Sequence, residues 1–70
     1  MNLEDAQLKA IDHLGDREYA NITIGPVVIR VIRTASRHRN TSFRFVYYTD
    51  FGLEYIYTDR AKELLATHPG

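Results

Sequence analysis

Five arginines, Arg30, Arg33, Arg37, Arg39 and Arg44, fall between Glu18 and Asp50, a stretch that also holds His38 but contains no carboxylate and no lysine. A guanidinium is a planar fork of donors that grips a carboxylate or a phosphate through two parallel hydrogen bonds, which the point charge of lysine cannot do. Several of them gathered in a small space repel one another unless something anionic lies close. The formal net charge of zero hides this polarity, because the middle of the chain carries +5 and the two ends together −5. Such a local field governs how a protein meets a partner. The chemistry these residues predict is recognition of an anion.

Aromatic residues follow close behind. Phe43, Phe45, Tyr47, Tyr48, Tyr55 and Tyr57 crowd onto what reads as two adjacent strands. Aromatics beside basic residues on an open sheet build stacking platforms for single-stranded nucleic acid, while small domains also fill their cores with Phe and Tyr. Alternation places Phe43, Phe45 and Tyr47 on one side, with Tyr55 and Tyr57 expected beside them in the core. Tyr48 shares the other side with Arg44 and is the expected exposed contact, Tyr and Arg being the residues that dominate protein–protein hot spots.

Other chemistry is not indicated. His13, His38 and His68 are scattered, and Asp12, His13 and Asp16 read as solvated groups on a helical turn. Asp50-Phe51-Gly52 spells the kinase magnesium triplet without the glycine-rich loop or catalytic loop that gives it meaning. Arg33-Thr34-Ala35-Ser36 has the form of a basophilic kinase site, a pattern short enough to arise by chance. No nucleophile has a base at a recognisable spacing, so no enzyme activity, catalytic residue, cofactor or metal is expected. Cysteine is absent, which removes disulfides and thiolate metal sites. The Asn21-Ile22-Thr23 and Asn40-Thr41-Ser42 triplets carry little weight as glycosylation signals without a secretory leader, and no membrane span is visible. Cytoplasmic residence is the expectation.

The elements that must position the arginines can be read from the periodicity. Leu3, Ala6, Ala10 and Leu14 lie at three- and four-residue spacing, predicting a helix over 3–14 capped by Asn2 and ended by Gly15. Residues 19–24 alternate as a half-buried strand. Gly25-Pro26 suits the two corners of a type II′ turn, so a hairpin is preferred over one long bent strand. Residues 27–34, β-branched and apolar on both sides, predict an interior strand. A basic loop over 35–41 leads to a strand over 42–49. A turn at Asp50-Phe51-Gly52, a strand over 53–57 and a closing helix over 59–67, capped by Thr58 and ended by Pro69, complete the chain. Ala61, Leu64 and Leu65 form the inward face of that helix.

The predicted fold class is α+β: a two-layer sandwich in α-β-β-(β)-β-α order, with a three- to four-stranded antiparallel sheet and two helices on one face. All 70 residues read as one small domain. At this size only about 60% of the unfolded surface is buried, so packing or self-association must supply stability. The α-β-β-β-α order is similar to that of the double-stranded-RNA-binding domain, with Gly25-Pro26 and Ala61-Lys62 as partial matches to its Gly-Pro loop and its basic helix start. No histidine follows Gly25-Pro26 and no lysine cluster opens the closing helix, so the sequence is not assigned to that family.

The expected function is a small non-enzymatic interaction module that docks an Arg-rich hairpin on an acidic surface of a larger protein. Its expected contact residues are Arg30, Arg33, Arg37, His38, Arg39, Arg44 and Tyr48. Chains of this size without a catalytic set commonly act as regulators, adaptors or inhibitors, including those encoded by phages and mobile elements. The alternative is nucleic-acid binding through phosphate contacts from the same hairpin, against which the zero net charge counts. A homodimer pairing through an edge strand is a third expectation.

Overall fold

A computed structural model describes residues 1–34 and 41–68. The elements run α1 (Leu3–Leu14), β1 (Tyr19–Ile24), β2 (Val27–Thr34), β3 (Ser42–Thr49), β4 (Tyr55–Ile56) and α2 (Thr58–Ala66). The four strands form one antiparallel sheet in the order β1-β2-β3-β4, and both helices pack on it, giving the α+β sandwich expected.

Local chemistry explains the boundaries. The Asn2 side chain accepts a hydrogen bond from the Asp5 backbone N–H (2.7 Å), satisfying one of the free donors at the start of α1, and Glu4 and Asp5 sit in its first turn. Gly25 has a φ of 55°, and Ile24 faces Val27 across the turn. A positive φ followed by proline, whose ring fixes φ negative, is the sign pattern of a type II′ turn. Gly25-Pro26 therefore closes a two-residue hairpin, and the bent single strand is excluded.

Two boundaries differ from the sequence reading. Leu53 has a φ of 52° directly after Gly52 at 71°, a left-handed pair that cannot belong to a strand. The Thr49 N–H instead donates to the Glu54 carbonyl (2.8 Å), so 50–53 is a loop and β4 shrinks to Tyr55–Ile56. Thr58 does not cap α2: it is the first helical residue, Tyr57 takes the cap position, and no side chain satisfies the free donors there. Pro69 lies outside the described residues.

The pleat sorts every strand residue to one of two faces. Ala20, Ile22 and Ile24 of β1 share the helix-covered face with Val27, Ile29 and Val31 of β2 and with Phe45 and Tyr47 of β3. Against them pack Ala6, Ala10 and Leu14 of α1 and Ala61 and Leu65 of α2, all with no accessible surface. The alanines let the helices approach closely, while Ile29 and Leu65 supply volume. The Tyr47 hydroxyl reaches the edge of this core and accepts a hydrogen bond from Gln7 Nε2 (2.8 Å), which ties α1 to β3. β2 lies between β1 and β3, as its two apolar faces required. Neither helix is long and apolar enough to cross a membrane.

Candidate functional site

Among the described residues, no helix covers the second face of the sheet. By the same alternation it presents Tyr19, Asn21 and Thr23 from β1, Val28, Arg30, Ile32 and Thr34 from β2, Ser42, Arg44, Val46 and Tyr48 from β3, and Tyr55 from β4. Tyr57 extends this row, its ring edge-to-face with Tyr55 at 5.3 Å, and Tyr55 meets Tyr48 in the same way at 6.1 Å. Not one of these residues is a carboxylate. Four tyrosines and two arginines lie on a face whose strand residues, among those described, include no acid.

Arg30 is the centre. Its Nε donates to Asn21 Oδ1 (2.9 Å) on the neighbouring strand, which fixes the plane of the guanidinium. Its Cζ lies 6.0 Å from the Tyr19 ring centroid and 5.9 Å from that of Tyr48, so the cation is flanked by two aromatic rings. A shallow pocket of about 190 Å³ opens beside it, lined by Asn21, Val28, Arg30, Tyr48 and Leu53. One wall is cationic and the other aliphatic. That combination suits a carboxylate on an aliphatic stem, the acid accepting from the fork while the methylenes lie on Val28 and Leu53.

The structure divides the arginines that the sequence grouped. Arg44 shares the open face with Tyr48, as expected, and Arg30 joins them there. Arg33 lies on the helix side, where its Nε donates to the Arg17 carbonyl (3.3 Å), its Nη2 donates to the Gly15 carbonyl, and its Cζ sits 5.6 Å over the Phe43 ring. It ties the end of α1 to β2. Arg37, His38 and Arg39 lie outside the described residues. The one ion pair among the described residues joins Arg60 to Glu63 on α2 (2.9 Å), so Arg30 and Arg44 are not neutralised by a described carboxylate.

Tyr55 and Tyr57 correct the core reading. Tyr47 faces Ile56, not a tyrosine, so Ile56 joins the covered face and its two neighbours turn outward. They are 55% and 76% exposed. Asn21 and Tyr19 also belong to the site; the alternation of β1 placed both outward, but their tie to Arg30 depends on strand register. No group of three or more His, Asp or Glu that could hold a metal occurs among the described residues. Comparison with family models, curated proteins and solved structures finds no match for this chain.

Proposed function

We propose that this chain is a small, non-enzymatic interaction module that docks its open sheet face, together with the basic β2–β3 hairpin, on an acidic surface of a larger protein. The observation that carries this reading is Arg30, held by Asn21 between two tyrosine rings on a face without carboxylates. Prepaid orientation lowers the entropy lost when a glutamate or aspartate side chain is gripped. Tyr48, Tyr55, Tyr57 and the aliphatic Val28 and Leu53 supply the apolar area that gives a complex its lifetime, while Arg44 and the hairpin arginines speed and orient the encounter.

A quantitative pull-down from cells producing the protein tests it. The double variant Arg30→Glu/Arg44→Glu should lose its specific protein partner by at least about tenfold, since each buried contact to a charged group is worth about 1.5–3 kcal/mol. Equal recovery by wild type and variant discards the reading.

Nucleic-acid binding remains the second reading, because exposed tyrosines beside arginines on an open sheet are also what a single strand stacks on. Two features favour the protein partner. The tyrosines turn edges and faces toward one another, at interplanar angles of 80° and 85°, instead of presenting parallel rings. The zero net charge also gives phosphate little long-range attraction. Anisotropy titrations with single- and double-stranded DNA and RNA at low salt decide: saturable binding that Arg30→Glu abolishes would move the assignment to nucleic acid.

A further inference from the structure

The outer edge of β1, whose Tyr19 and Asn21 side chains adjoin Arg30 on the open face, leaves a row of backbone groups unpaired among the described residues. The Arg33 N–H donates to the Glu18 carbonyl (2.8 Å), which fixes the pattern of the β1–β2 ladder. Hydrogen-bonded pairs alternate with non-bonded ones in an antiparallel ladder, so Ala20, Ile22 and Ile24 spend their backbone groups on β2. Tyr19, Asn21 and Thr23 then point their N–H and C=O groups outward. Among the described residues, no hydrogen bond reaches those outward groups.

Exposed edges are usually blunted by a lysine, a proline, a bulge or brevity. β4 is blunted by brevity, having two residues. β1 has none of these devices. It is six residues long, its register runs unbroken from Tyr19 to Ile24, and its sequence Tyr-Ala-Asn-Ile-Thr-Ile contains no charged residue and no proline.

We propose that β1 pairs antiparallel with β1 of a second copy, with Asn21 facing Asn21 on a two-fold axis. That register follows from the outward groups alone. It sets Tyr19 against Thr23 of the second copy on either side of the axis, which matches every outward donor to an outward acceptor. Ala20 then faces Ile22 on the helix-covered side, burying the half-exposed Ile22. Because the strand carries no charge, its self-pairing opposes no like charges. The axis runs perpendicular to the sheet, so both open faces point the same way and the dimer offers two Arg30 sites to one partner surface.

Sedimentation from micromolar to millimolar concentration, with hydrogen exchange read on individual amides, tests this. The wild type should approach twice the chain mass, and the Tyr19, Asn21 and Thr23 amides should exchange about tenfold more slowly as the dimer fills. Thr23→Pro removes an outward N–H without touching the β1–β2 ladder and should hold the protein at monomer mass. A wild type that stays monomeric throughout, outward amides whose exchange does not change with concentration, or a folded Thr23→Pro that dimerises like wild type would each overturn the proposal. If Thr23→Pro fails to fold, the wild-type exchange rates decide alone.

Discussion

At Arg30 one guanidinium nitrogen is committed to Asn21 and no described carboxylate is close enough to pair with the others. Electrostatics makes that arrangement consequential: a half-buried cation keeps more of its Coulomb energy than one in bulk water and is less screened by salt. Arg33 shows the contrast, spending its donors on the carbonyls of Gly15 and Arg17 in a structural tie. The sequence reading grouped the two as contact residues, because both are strand arginines three positions apart; the observed register puts them on opposite faces. Gly25 is where a single residue decides an element. Its φ of 55° suits glycine, and a Cβ there would meet His68 Nδ1 at 2.8 Å. Gly25→Ala should cost about 1–2 kcal/mol, chiefly for the left-handed backbone, since the imidazole can swing aside. Urea unfolding reads this directly, and an unchanged midpoint would contradict the hairpin geometry.

Among the elements, α1, β1, β2 and β3 end where periodicity, capping and turn chemistry placed them, because each is bounded by a local signal such as Asn2, Gly15 or Gly25-Pro26. β4 was not legible in the same way. Its parity depends on how many residues the 50–53 loop consumes, and the backbone of Leu53 decides that number. A one-residue change of register moves every side chain of a strand to the opposite face. For that reason Tyr55 and Tyr57 belong to the candidate site and not to the core. The two faces of β2 should differ sharply in their tolerance of substitution. Ile29 is fully buried on the helix-covered face, and Ile29→Ala should cost about 2–5 kcal/mol, enough to unfold much of so small a chain. Val46→Ala, on the open face opposite Arg30, should cost about 1 kcal/mol or less. Thermal unfolding of the two variants side by side tests the assignment of faces, and equal losses would contradict it.

For the whole molecule, the separation of charge matters more than its sum. The acids lie in the N-terminal region through Glu18 and from Asp50 onward, while the sheet between them is cationic on the face that the helices leave open. One face of the sheet makes the core with the helices, and the other is the face on which the proposed function rests. The sequence pointed to a surface rich in arginine and named Arg30, Arg44 and Tyr48, which the fold brings to one face. It could not show the tyrosine row beside them, which exists only once four strands are in register. The most direct test places a benzophenone photo-crosslinker at Tyr57 on the open face or, separately, at Leu8 on the exposed side of α1, in cells that make the protein. Adducts to one protein from position 57, lost when Arg30→Glu is added, are the predicted result. Adducts from position 8 alone would contradict the account.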